Sequence, residues 1–136
     1  MPIDPGPHDL NKILYILGPD GSATLKADSP DFYQELNTEF NGFAGHTLIS
    51  RFSFDEPWST WEMHPMGDEF LYLLEGDTDL VLMQDGKEET VRVHIPGDYV
   101  VVPQGVWHTA RPCGPTTMLL ITPGEGTLNE KQPPAI

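Results

Sequence analysis

The sequence predicts an all-β fold, a small antiparallel barrel or jelly roll with one short N-terminal helix. Three observations predict it. From residue 45 onward about eight short strand candidates follow one another at even spacing. The breaks between them carry turn residues, among them Asp55-Glu56-Pro57, Gly76-Asp77, Pro96-Gly97-Asp98 and Pro103-Gln104-Gly105. Helical spacing is credible over residues 31–40 only, where Phe32, Leu36 and Phe40 recur every four residues.

Residues 1–11, rich in Pro, Asp and Gly, read as an irregular arm. Lys12 to Leu17 is a strand candidate ended by Gly18-Pro19-Asp20-Gly21, and Ala23 to Ala27 can pair with it. Ser29-Pro30 precedes the helix and Asp31 falls in its first turn, a start signal. The apolar face of that helix is expected to cover one end of the sheet. The strand candidates then run His46 to Phe54, Thr60 to His64, Glu69 to Glu75, Asp79 to Met83, Glu89 to His94, Tyr99 to Val102, Trp107 to Arg111 and Thr116 to Thr122. Asp85-Gly86 between two apolar runs is a hairpin signal. We expect residues 1–44 to form the arm, two strands and the helix, residues 45–122 the barrel, and residues 123–136 a loose tail.

At 136 residues the chain suits one domain, able to bury roughly two-thirds of its unfolded surface. With 21 acidic and 7 basic residues its formal charge is −14, which makes nucleic acid and anionic membranes poor partners. Cys113 is the one cysteine, so no intrachain disulfide can form. The first residues show no basic segment followed by an apolar run, and no apolar run is long enough to span a bilayer. A cytoplasmic setting is therefore expected.

Two stretches carry chemistry. The first is Glu62, one residue, His64, four residues, Glu69, six residues, Gly76; the second is Gly97, five residues, Pro103, one residue, Gly105, two residues, His108. Residues two apart on a strand share a face, so Glu62 and His64 can point inward together. Glu69 follows a short turn, and His108 must arrive through the fold. Imidazole nitrogens with carboxylate oxygens suit a divalent ion such as Fe, Mn, Ni or Zn.

The second stretch resembles the second motif of the cupin family at every fixed position up to the histidine. The first resembles that family's first motif, except that Glu62 stands where the family has a histidine. Pro112 also stands where an asparagine often closes the second motif. The resemblance covers residues 45–122. It implies a double-stranded β-helix, or jelly-roll, barrel, often dimeric, with a metal held inside one end by His64, Glu69 and His108. Glu62 admits three readings: a fourth ligand, an acid–base group beside a three-ligand metal, or the mark of a site that has lost its metal. Two carboxylates close together would make one hold its proton tightly, so metal binding should release protons and weaken on acidification.

Strand alternation places other residues around this site. Leu71, Leu73 and Ala110 are expected to wall the pocket, together with either Arg51 and Ser53 or Phe52 and Phe54. Arg51, if inward, could clamp a substrate carboxylate as a further catalytic group. Trp61 and Trp107 precede Glu62 and His108 and should face outward, where the N-terminal segment or a second subunit would cover them; a homodimer is expected. The chemistry open to such a protein is that of a metal-dependent enzyme on a small organic molecule, a dioxygenase or a non-redox isomerase or lyase. The alternatives are a non-catalytic module that binds or senses a small molecule, and a structural barrel without metal.

Overall fold

The computed structural model describes residues 3–134; the first two residues of the expected arm and the last two of the expected tail lie outside that range. Eleven strands build two antiparallel sheets among the described residues. The strands are β1 (Ile13–Leu17), β2 (Ala23–Ala27), β3 (Thr47–Phe54), β4 (Trp61–Met63), β5 (Glu69–Glu75), β6 (Thr78–Gln84), β7 (Lys87–Val93), β8 (Tyr99–Val102), β9 (Trp107–Pro112), β10 (Thr116–Thr122) and β11 (Leu128–Glu130). One sheet runs β2-β1-β3-β10-β5-β8 and the other β11-β4-β9-β6-β7. Consecutive strands change sheet repeatedly, as in a jelly roll.

Alternation decides which side chains meet between the sheets. Leu71 and Leu73 of β5, Leu80 and Leu82 of β6, Ala110 of β9 and Met118 of β10 are almost fully buried in one cluster. Removing such surface from water is the main stabilising term. A second cluster joins Leu14, Ile16 and Leu48 to Phe32 and Leu36 of the helix α1 (Phe32–Glu39) and to Phe43. The helix therefore covers one end of the six-stranded sheet through the face that its spacing marks.

Turn chemistry matches the strand ends. Asp85 and Gly86 both adopt positive φ, 53° and 75°, and join Gln84 to Lys87 in register, as a two-residue hairpin of the primed type requires. Gly76, at φ 104°, admits no side chain: a Cβ there would stand 2.4 Å from the Pro115 carbonyl oxygen.

The chain departs from expectation at its end. The region read as a loose tail contains β11, which pairs antiparallel with β4 through Leu128–Met63, Asn129–Glu62 and Glu130–Trp61. At the start, β1 and β2 continue the sheet from β3. Trp61 is buried within the single chain and Trp107 is half-buried. They share the outer face of the five-stranded sheet with Val81 and Thr109, both buried, so no second subunit is needed to cover Trp61.

Candidate metal centre

Four side chains converge where the two sheets open. Glu62 and His108 face each other across β4 and β9 as a directly paired position. His64 follows β4 by one residue, and its carbonyl accepts a 3.0 Å hydrogen bond from the Gly105 N–H, tying the two motifs together. Glu69 begins β5 in the opposite sheet. Glu69 Oε1 lies 3.2 Å from His64 Nε2 and 3.0 Å from His108 Nε2, and Glu62 Oε2 lies 3.9 Å from His64 Nε2. Ligand atoms of Glu62, His64 and His108 all fall within 4.8 Å of one another.

His64, Glu69 and His108 are buried, whereas the Glu62 side chain keeps 33 % of its surface exposed. The outer atoms of the buried three are held by other groups. His64 Nδ1 pairs with the Thr127 hydroxyl at 2.8 Å, Glu69 Oε2 accepts a 2.6 Å bond from the Thr122 hydroxyl, and His108 Nδ1 donates to the Val106 carbonyl at 3.2 Å. These bonds aim His64 Nε2, Glu69 Oε1 and His108 Nε2 at one point. All three atoms are buried and lack a well-aligned hydrogen bond. Buried polar atoms rarely stay without a well-aligned partner, and three that converge on one point are atoms a bound cation would satisfy. Two imidazoles and a carboxylate fit a divalent ion. Two further unpartnered atoms, Trp58 Nε1 and Asp77 Oδ1, are not part of this group.

The two carboxylates differ in proton affinity. Burial alone would raise Glu69, but hydrogen bonding and charge from His108 and His64 outweigh it and hold its carboxyl at about 2. Glu62 is pushed up, first by burial and then by the charge of Glu69, with His108 and His64 opposing. Burial lowers His108, but the Glu69 carboxylate beside it more than compensates and raises it overall.

Above the cluster lies a cavity of about 680 Å³. Its wall corrects the expected one. Leu71, Leu73 and Ala110 pack into the core and do not line it. Of the two alternatives for β3, Phe52 and Phe54 share the inward face with buried Leu48 and Ser50. Arg51 alternates to the other face; it borders the cavity beside Asn11, and its Nη1 donates to Asn11 Oδ1 at 3.1 Å. It is not aimed at the four-residue cluster as a clamp would be. The helix supplies Phe32, Tyr33 and Leu36 to the wall, in addition to covering the end of the sheet. Thr122 was legible as an inward position, two residues from Leu120 and four from Met118; nothing in the sequence marked Thr127.

The other three histidines lie elsewhere. His8 Nε2 pairs with the Asp4 carbonyl in the arm, and His46 packs between Phe40 and Phe43. His94 is exposed. Asp68 accepts the Gln104 N–H and so caps the turn of the second motif. Cys113 is exposed beside Arg92.

The cupin domain family model matches residues 52–122, just over half of the chain, and the chain belongs to that family. No curated protein matches the sequence at a significant level. Among solved structures, the chain is similar to oxalate decarboxylase from Bacillus subtilis, with a TM-score of 0.53 and 18% identity over 60% of this chain and 23% of that one. It is also similar to an oxalate oxidase, with a TM-score of 0.52 and 17% identity over 60% of this chain and 45% of that one. A cupin-2 domain protein from Shewanella frigidimarina gives a TM-score of 0.49 at 19% identity, over 57% of this chain and 70% of that one. This chain thus spans under a quarter of the decarboxylase and under half of the oxidase. The B. subtilis decarboxylase carries Mn(II) centres. At these identities the likeness establishes the fold. Among the described residues no helix is long and apolar enough to cross a membrane.

Proposed function

We propose that this cupin is a metal-dependent enzyme acting on a small organic molecule, with His64, Glu69 and His108 holding a divalent ion and Glu62 moving a proton. The observation that carries the reading is the difference between the three buried groups and Glu62. Each of the three is oriented by a second partner, as metal ligands usually are. Glu62 is felt by its neighbours only through charge and burial, with no hydrogen bond to its carboxylate among the described residues, and it opens to the cavity. A carboxylate that is unfettered, adjacent to the ion and raised toward neutrality suits general acid–base work.

A bound divalent ion would polarise a substrate carbonyl or hydroxyl oxygen. The residues of the chain do the rest. The buried three would hold the ion beside the cavity. Glu62 takes a proton from the carbon or oxygen next to the polarised group and returns it at a neighbouring atom, which is the pattern of isomerisation or elimination. The apolar wall limits water near the reacting atoms.

The experiment is a screen of enolisable carbonyl compounds in D₂O with metal-loaded protein. Deuterium should enter the substrate with the wild type, and at least about a hundredfold more slowly with Glu62→Gln, the usual size of a general-base contribution. Oxygen consumption without exchange would favour dioxygenase chemistry instead. Ligand binding with neither would leave a sensing or binding module.

A further inference from the structure

We infer that the cavity takes a neutral, partly aromatic molecule that presents oxygen atoms to the ion, and not a small dicarboxylate. This rests on the metal-dependent reading above and adds the substrate class. Three features of the cavity point the same way.

The first is size. A cavity of about 680 Å³ lies within the usual range for sites that enclose whole organic ligands. A two-carbon dicarboxylate would fill a small part of it and leave the rest to water. The second is the wall. Phe32, Tyr33 and Leu36 from the helix, Phe52 from β3 and Trp58 from the following turn surround the space over the cluster. Phe52 and Trp58 stand edge to face with ring centroids 6.1 Å apart. Phe52 keeps 43 % and Tyr33 70 % of its surface exposed. Aromatic side chains that border a concave site and keep this much surface open offer area that an apolar ligand would cover.

The third is charge. The acidic residues and the arginine that border the cavity are Asp28, Arg51, Glu62 and Glu69. A divalent ion cancels the two glutamates, and Asp28 and Arg51 offset each other. Arg51 is moreover engaged with Asn11. A dianion would enter a site with no surplus positive charge, in a protein of net charge −14. Leaving its water would then be uncompensated. A molecule that is neutral in solution meets no such penalty.

A series of three hydroxamic acids, which share one chelating group, separates these claims. Acetohydroxamic acid, benzohydroxamic acid and 4-carboxybenzohydroxamic acid are titrated calorimetrically into the manganese-loaded protein, with metal occupancy measured in parallel. Benzohydroxamic acid should bind about tenfold or more tightly than the acetyl compound, as burial of a phenyl ring implies. The added carboxylate should remove most of that gain. In Phe52→Ala and Tyr33→Ala, both at exposed positions where folding is spared, the phenyl gain should shrink while metal occupancy stays unchanged. Equal affinities for the first two compounds, or tightest binding of the carboxylated one, would overturn the inference and leave the metal reading standing. Failure of manganese to bind at all would sink both.

Discussion

At the scale of single residues, Glu69 and His108 make the shortest contact of the cluster, 3.0 Å between Oε1 and Nε2. In the metal-free protein they form a buried pair, with the Glu69 carboxyl held at about 2 against an ordinary 4.5 and His108 raised above 6.5. A depressed carboxylate stabilises the fold above pH 4.5 and loses that contribution as the pH falls toward about 2. A raised histidine stabilises it below pH 6.5 and loses that contribution as the pH climbs through its folded value. The metal-free protein should therefore gain most from the pair between pH 4.5 and 6.5. An ion must displace the His108 proton, so metal affinity should rise with pH, by up to about tenfold per pH unit for one proton. Chelator competition at several values between about pH 5 and 8 checks this, and a flat profile would contradict it. Of the residues involved, His64, Glu69 and His108 were legible from motif spacing. Their partners were legible only in part. Thr122 follows from alternation along β10, whereas Thr127 reaches His64 across 63 residues of sequence, a closeness that only the folded chain creates.

Turns and short strands decide the element scale. Gly76 ends β5 at a φ that L residues rarely adopt, directly against the Pro115 carbonyl. Gly76→Ala should destabilise the protein by about 2 kcal/mol or more, since backbone strain and a steric clash add. Urea unfolding would measure it, and a loss within about 0.5 kcal/mol, the range of neutral surface changes, would contradict the structure. Strand existence was legible here because alternation and turn residues agreed along most of the barrel. The end of the chain was not. Leu128–Glu130 is only three residues long and all three are exposed, so no alternation marks it. It is a strand because β4 offers an unpaired edge. The helix was legible in position, yet its contribution to the cavity wall was not, because periodicity names the buried face and not what the neighbouring residues overlook.

At the scale of the whole molecule, one sheet face carries a broad apolar set. On the outer face of the six-stranded sheet, Ile49, Ile121, Phe70 and Val101 stand in register across four strands, with Leu119, Tyr72 and Tyr99 in the next row. Tyr99 and Val101, on edge strand β8, are 59 % and 48 % exposed. A face this broad and apolar is unusual on a monomer. The expectation of a homodimer thus moves from the tryptophan face to this one. Sedimentation at micromolar concentration should give a dimer, and Val101→Glu should give a monomer with unchanged metal content. A monomeric wild type would remove the prediction.

His64, Glu69 and His108 are proposed to hold an ion, with Glu62 beside it and not a ligand. Elemental analysis of purified, manganese-reconstituted wild type beside Glu62→Gln, His64→Ala and His108→Ala tests it most directly. About one divalent ion per chain is expected in the wild type and in Glu62→Gln, and little in either histidine variant, since loss of one of three ligands removes most affinity. Metal lost from Glu62→Gln as well would make Glu62 a ligand, and a wild type that stays empty would contradict the metal centre itself.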